Sequence, residues 1–470
     1  MFRLKKFEII KHNFFDPQSF HFVNDEDFIN NLYVTLLIGP NGSGKSQILS
    51  MIVDVFNILT NSQEYNITLS NLNFEFEMIY LFNSKEFKVV YSNKKWGFNR
   101  NSLVIDFNDI ELPGKFLACA INLNDRYPFV SGRNKNSRYE YLGIKSTSNN
   151  AFINYNTLIE RLSSSVLNQR NIDRFTKIFS EIGLKDEVTI KYKAGINYKI
   201  NKDKCFSDPL LLEEYFENVL DKNINKRGGS MSIRDDKYKK ILEDKSNLKL
   251  VTDFFNNNTL NKGKLKSSIT FDSILNFRDK NSIIKFNKTS KALRIIRDLE
   301  ILKVDKLILK RLNSKYSFEQ ASSGEHHILS GFINIISKIE ESSLILIDEP
   351  EISLHPNWQI QYMSLLQSTF SDYPGCHFII STHSHFLVSD LKPESSAIIS
   401  FHTKESGEVY NETLEFDTNG WSAENILYRV FGVSTVRNHY LEMDLREILS
   451  MIDNRSTNYI KIREILNRLI

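Results

Sequence analysis

At 470 residues, with 41% hydrophobic and 25% charged residues, the chain has the length for two or three domains and the composition of a globular protein. No apolar run approaches the roughly 18 residues that span a bilayer, and Met1 to Glu8 lacks the apolar core of a secretion signal, so no membrane contact and a cytoplasmic location are expected. Cys119, Cys205 and Cys376 lie too far apart for a metal knuckle or a disulfide framework, and a net charge of +3 implies no partner by itself.

In chain order, Phe7–Ile10 and Ser19–Val23 are short strand candidates, and Tyr33–Ile38 is a β-branched and aliphatic run of the kind buried as a central strand. That run enters Gly39-Pro-Asn-Gly-Ser-Gly-Lys-Ser46, which fits Gly-x-x-x-x-Gly-Lys-Ser at every fixed position. Beyond it, Ile48, Ile52, Val55, Phe56 and Leu59 fall at helical spacing. Strand, glycine loop and helix in that order aim backbone N–H groups and a helix N-terminus at one point, an arrangement that holds phosphate. The candidate cradle is Gly39, Asn41, Gly42, Ser43, Gly44, Lys45, Ser46 and Gln47. Lys45 would reach the β- and γ-phosphates, and the Ser46 hydroxyl would ligate Mg²⁺.

Phe74–Tyr80 and Phe87–Tyr91 alternate as antiparallel strands do, and Phe116–Ile121 is apolar throughout, a further buried strand. It ends in the polar Asn122-Leu-Asn-Asp-Arg-Tyr127, and residues 123–145 read as a long loop. Asn156–Leu167 and Ile172–Ile182 carry helical patterns. Between Asp221 and Arg311 stand 23 Lys/Arg against 11 Asp/Glu, a surplus of 12, which leaves the rest of the chain at −9. Such a block is either solvated helical surface or a contact with nucleic-acid phosphates.

Ser322, Ser323 and Gly324 open a helical run, with Glu325 in its first turn. This is either a capped helix start or a second anion-binding position. Ser343-Leu-Ile-Leu-Ile347 is a buried strand that delivers Asp348 and Glu349 to its C-terminal end, where open α/β sheets hold ligands. Asp348 suits a Mg²⁺ ligand opposite Ser46, and Glu349 suits the group that orients and deprotonates an attacking water. A last apolar strand, Cys376–Thr382, runs into His383, which could donate to a γ-phosphate or hold the water. His383 and His385 stand two apart without a cysteine or carboxylate cluster, so no metal site is read there.

These residues carry a family resemblance. Ala321-Ser-Ser-Gly-Glu325 resembles the signature motif of ABC-type ATPases, Leu-Ser-Gly-Gly-Gln. Asp348-Glu-Pro-Glu-Ile-Ser-Leu-His355 resembles their Walker B and D-loop, and Ser381-Thr-His-Ser384 their switch histidine, in wording similar to the SMC, RecF and OLD group. The resemblance implies an α/β fold: an ABC-type P-loop ATPase head, with a mixed sheet and an antiparallel β-subdomain, carrying an inserted, mainly helical domain. The expected layout is 1–122 for the first half of the head, 123–314 for the basic insertion, 315–420 for the second half and 421–470 for a helical tail. It further implies ATP and Mg²⁺ as ligands, with Ser46 and Asp348 on the metal and Glu349 and His383 catalytic. A head-to-tail dimer or higher oligomer would hold each ATP between the glycine loop of one chain and Ser322, Ser323, Gly324 and Glu325 of another.

Departures from the pattern are Ala321 and Ser323 in the signature, and the lack of a glutamine where Asn122, Asn124 or Asp125 stands. There is no heptad arm, and the 87 residues after His383 are few for the nuclease domain of OLD proteins; Arg437-Asn-His439 reads as a helix start. The layout resembles the ATPase subunits of Septu-type anti-phage systems, which implies a separately encoded effector, an HNH nuclease, with DNA as a further partner. Two other readings stand beside it: a DNA repair or recombination ATPase with no toxic partner, and a non-hydrolysing scaffold with structural ATP.

Overall fold

In the computed structural model, strands buried on both faces alternate along the chain with strands buried on one. β1 (Phe2–Lys11) and β2 (Gln18–His21) pair antiparallel, and β3 (Tyr33–Ile38), buried at all six positions, leads through the glycine loop into α1 (Lys45–Tyr65). Ile48, Ile52, Val55, Phe56 and Leu59 bury one face of α1. β4 (Glu75–Phe82), β5 (Lys85–Ser92), β6 (Lys95–Arg100) and β7 (Leu103–Val104) form a meander. Its turns are Asn83-Ser84, Asn93-Lys94 and Asn101-Ser102, each with positive φ at both residues. That mirror-type turn matches the twist of the flanking strands, and asparagine opens it with little strain. β8 (Phe116–Ala120) and β9 (Tyr139–Tyr141) follow.

The structure describes residues 1–24, 31–120, 125, 127–128, 138–143, 145–147, 150–151, 155–198, 206, 208–227, 230–258, 261–262, 269–388, 391, 393–404, 406–414 and 450–451. Asn122, Asn124, Cys205, Arg437, Asn438, His439 and nearly all of the expected tail lie outside them. The chain divides into two units, residues 1–143 with 340–470, and residues 144–339.

The second unit begins with β10 (Lys145–Thr147) and β11 (Asn150–Ala151), then α2 (Tyr155–Ser165) and α3 (Gln169–Glu181), close to the expected helices. β12 (Glu187–Ala194) precedes α4 (Pro209–Lys226), α5 (Ile233–Glu243) and α6 (Lys245–Asn257). After β13 (Asn261–Lys262) and β14 (Ile269–Asn276) come α7 (Lys280–Asp298), β15 (Leu302–Lys310), β16 (Lys315–Ser317) and α8 (Ser323–Ile336). Asn168, Asp208, Ser232, Asp244 and Asp279 each cap the following helix by accepting a first-turn N–H. The unit is mainly helical but is built on an antiparallel sheet of order β13-β14-β12-β15-β16. Its boundary also differs from the expected one at 314/315. β16 pairs with β15, and α8 packs on α2 and α3, so the signature segment is anchored in this unit.

Back in the first unit, β17 (Leu344–Asp348), α9 (Pro356–Thr369), β18 (His377–Thr382), β19 (Ser396–Thr403) and β20 (Val409–Leu414) complete a seven-stranded sheet of order β20-β19-β3-β18-β17-β8-β9. From β19 to β9 the neighbours are parallel, and only β20 is antiparallel. Parallel strands covered on both faces explain why β3, β8, β17 and β18 read as unbroken apolar runs. The order sets the C-terminal ends of β3, β18 and β17 side by side. Phe2, Phe56, Tyr80, Phe87 and Phe116 knit helix and sheets together with ring centroids 5.4–5.9 Å apart. No helix among the described residues is long and apolar enough to cross a membrane.

Candidate active site

Between β3 and α1 the backbone turns on Gly39, Gly42 and Gly44, all at positive φ. At Gly39 an added Cβ would lie 2.5 Å from the Phe401 carbonyl oxygen, so the loop closes against β19 only because that residue is glycine. Gly44 is the N-cap of α1 and offers no side chain to its first N–H groups, and the first turn holds no acid. Ser43 and Lys45 are buried, Ser46 and Gln47 half-buried, and Asn41 and Gly42 exposed. The Lys45 ammonium donates to the carbonyls of Gly39 and Pro40, both at 2.9 Å. Burial brings its pKa down to about 8, against the pull of Glu349, Glu351 and Asp348.

Register does the rest. β17 and β18 pair with Asp348 beside Ser381, and β18 and β3 pair with Thr382 beside Ile38. Asp348 Oδ1 accepts from Ser46 Oγ at 2.9 Å and from Ser381 Oγ. Burial raises the Asp348 pKa, and the two hydroxyls oppose that rise. Glu349 leaves the strand with φ 51, a left-handed conformation rare outside glycine and concentrated at functional sites. Its N–H is held by the Ser381 carbonyl at 3.0 Å.

His383 sits between Lys45 and Glu349. Nδ1 is 3.3 Å from Lys45 Nζ, and Nε2 is 3.3 Å from Glu349 Oε1. An ammonium only donates, so Nδ1 accepts and the ring hydrogen is on Nε2, facing the carboxylate. The backbone N–H of His383 donates to Glu351 Oε1 at 2.6 Å. Glu351 is largely buried, which raises its pKa, and its Oε2 has no hydrogen-bond partner among the described residues. Sequence reasoning did not single out Glu351 or Ser381. Glu351 is the third acid within Asp348–Glu351, and Ser381 stands at the polar end of an apolar strand, so both carried a signal.

Asp125, one of three residues considered for the glutamine position, accepts from Tyr141 Oη at 2.6 Å and from the Tyr127 N–H at 3.1 Å. In the second unit, Ser322 caps α8 in a reciprocal box with Glu325, whose Oε2 accepts from the Ser322 N–H at 2.8 Å. Glu325 Oε1 accepts from Arg311 at 2.5 Å and from Tyr316 at 2.6 Å. Burial pushes the Glu325 pKa up, but these donors together bring it below its ordinary value. The Glu325 carboxylate, expected beside ATP, is thus engaged in shaping the turn that leaves Ser322 and Ser323 exposed at the helix N-terminus.

The donor set fits a magnesium–nucleotide ligand: uncapped N–H groups, a buried ammonium, and a hydroxyl and carboxylate 2.9 Å apart. Residues 179–389 match the family described as "AAA domain, putative AbiEii toxin, Type IV TA system", a span that includes Ser322, Asp348, Glu349 and His383. That stretch is similar to an AAA-type ATPase domain. It is 29% identical over 147 residues to the Septu protein PtuA of Bacillus thuringiensis, covering 28% of this chain and 36% of that protein, so the matched stretch spans about a third of that relative. It is also 24% identical over 391 residues to the "Retron Vc95 probable ATPase" of Vibrio cholerae serotype O1 biovar El Tor, covering 78% of this chain and 68% of the other. Among solved structures, the SMC head domain from Thermotoga maritima matches at 14% identity with a TM-score of 0.34, over 88% of this chain and 100% of that one.

Proposed function

We propose that this chain binds and hydrolyses ATP as the ATPase subunit of a bacterial anti-phage defence complex, closing head-to-tail on a second copy and gating a separately encoded HNH nuclease. The observation that carries the ATPase reading is the meeting of Lys45, Ser46, Asp348, Glu349 and His383 at adjoining strand ends. The likeness to a Septu protein and to a retron ATPase supports the defence role. The exposed N-terminus of α8 supports the head-to-tail contact, since its capping box leaves the N–H groups of Ser323 and Gly324 without a partner among the described residues, where they would favour a phosphate presented by another copy.

In this reading the glycine loop and the start of α1 bind the β- and γ-phosphates, and Lys45 turns from its carbonyl partners to them. Mg²⁺, held by Ser46 and Asp348, would neutralise charge on the phosphate oxygens. Glu349 accepts the proton of the attacking water, and His383, its hydrogen on Nε2, orients Glu349 or donates to the γ-phosphate. Loss of the γ-phosphate removes the anion that joins two copies and resets the gate.

Lys45→Ala tests the phosphate assignment. Equilibrium binding of a fluorescent ATP analogue with Mg²⁺ is expected to fall at least roughly tenfold, the scale of losing one charged hydrogen bond. Affinity within twofold of wild type, in a variant with an unchanged melting profile, would overturn it.

A further inference from the structure

Three depressions on the second unit join end to end. One of about 400 Å³, lined by Lys191, Lys306 and Lys315, shares Asp272 and Ile274 with a second of about 340 Å³. The second shares Asn258, Asn281, Lys285 and Thr289 with a third of about 600 Å³, which adds Lys288 and Ile284. They make one furrow that crosses β16, β15, β12 and β14 on the solvent face and continues between α6 and α7. Three strand spacings span about 14 Å.

Of the five lysines along it, Lys191 and Lys315 are loosely paired, with Asp272 at 4.0 Å and Glu187 at 3.7 Å. Register sets Lys191 opposite Lys306 and Lys193 opposite Lys303. Like charges directly opposite weaken a sheet; Asp305 offsets the Lys193–Lys303 row by pairing with Lys193, whereas the Lys191–Lys306 row has only Asp272, 4.0 Å from Lys191. α7 carries Lys280, Lys285, Lys288, Lys291, Arg294 and Arg297 with no acid between its first residue and Arg297. Lys285, Lys288 and Lys306 have no ion-pair partner among the described residues. On α5, by contrast, Lys237 is 2.8 Å from Asp298 and Lys240 is 2.8 Å from Asp236. The acids that line the furrow are Asp253, Asp272 and Asp279; Asp279 caps α7, and Asp272 lies 4.0 Å from Lys191. The floor also holds exposed apolar side chains, Ile274 at 53% and Ile284 at 52% exposure, beside the amides of Asn258 and Asn281.

We propose that this furrow binds a single strand of nucleic acid, with phosphates on Lys285, Lys288 and Lys306 and unpaired bases against Ile274 and Ile284. This rests on the reading that nucleic acid is a partner of the chain. A duplex offers such a surface its phosphates but keeps its base faces stacked inside, so the exposed isoleucines favour a single strand.

The test uses the full chain, a fluorescein-labelled strand of about 12 nucleotides and its duplex, with anisotropy read at about 50 and 200 mM salt. Lys285→Glu, Lys288→Glu and Lys306→Glu together are expected to weaken single-strand binding at least ~10-fold at low salt. They should also flatten the salt dependence by about 0.7 in log–log slope for each phosphate that is no longer neutralised. Lys237→Glu, Lys239→Glu and Lys240→Glu together make the same change of charge on α5 and are expected to weaken binding less than about threefold. Lys→Gln at the same three furrow positions repeats the reading with charge removed instead of reversed, and unchanged melting and ATP affinity certify the fold. Equal losses from both triple variants, or binding by wild type that the furrow variants leave intact, would overturn the furrow while nucleic acid stays a partner. Tighter binding of duplex than of single strand would overturn the single-strand assignment. No binding of either form to wild type would remove nucleic acid as a partner altogether, and the Lys45→Ala measurement would stand apart from it.

Discussion

Two histidines stand at the two ends of β18, in opposite surroundings. His377 begins the strand, fully buried, with Nδ1 accepting from the Leu4 N–H at 3.1 Å and Nε2 2.9 Å from Thr35 Oγ1. The Thr35 hydroxyl donates to the Phe22 carbonyl at 2.6 Å, so the histidine donates to Thr35 and both its nitrogens are satisfied. Burial, with the Arg3 guanidinium nearby, holds its pKa well below the usual value. His383, just past the other end, is half-buried among Lys45, Glu349 and Glu351. The same side chain six residues apart is core at one end of a parallel strand and, in the proposed function, chemistry at the other. What separates them is the direction of the strand: in open α/β sheets ligands gather at the carboxyl ends.

Glu351 sharpens that comparison first. Its carboxyl fixes the backbone of His383, so Glu351→Ala is expected to lower ATP turnover roughly tenfold, the scale of one buried hydrogen bond, with little change in ATP affinity. Glu351→Gln keeps an oxygen that can accept the same N–H and should restore most of the rate. If glutamine were as inactive as alanine, charge and not positioning would be the role of Glu351.

A smaller effect is expected at the other end. Because the folded-state pKa of His377 is depressed, the unfolded chain takes up a proton below about pH 6.5 that the folded chain refuses. The stability it contributes is therefore full above that pH and is lost as pH falls. Urea unfolding at about pH 7.5 and 5.5 should show a loss on the order of 1 kcal/mol from this group. His377→Asn should lose less over the same interval. An unchanged pH dependence in His377→Asn would contradict the assignment.

Much of the candidate site's assembly was legible in sequence because each motif closes a buried run, and the register of a parallel sheet then leaves few choices. The glycine loop, Asp348, Glu349 and His383 follow β3, β17 and β18, and the pairing of those strands brings them together. The antiparallel sheet of the second unit was not legible, because Lys191 and Lys193 alternating with Ile190 and Tyr192 look like more of a charged segment. The charge count overstated the unpaired surplus for a related reason. Acids from outside the counted stretch fold onto it: Glu160 on Arg297, Asp186 on Arg278, Glu187 on Lys310, Glu213 on Lys245 and Glu325 on Arg311. Charge in a linear window says little until pairing is known, whereas a strand followed by a glycine loop specifies its own geometry.

The central claim, that the carboxyl ends of β3, β17 and β18 hydrolyse ATP, is tested most directly by Glu349→Gln. Phosphate release with MgATP and equilibrium binding of the nucleotide should be measured on the same preparation. The account predicts turnover lower by roughly 10²-fold, the usual scale for losing a general base, with ATP affinity retained. Wild-type turnover in the variant would contradict it and move the base elsewhere.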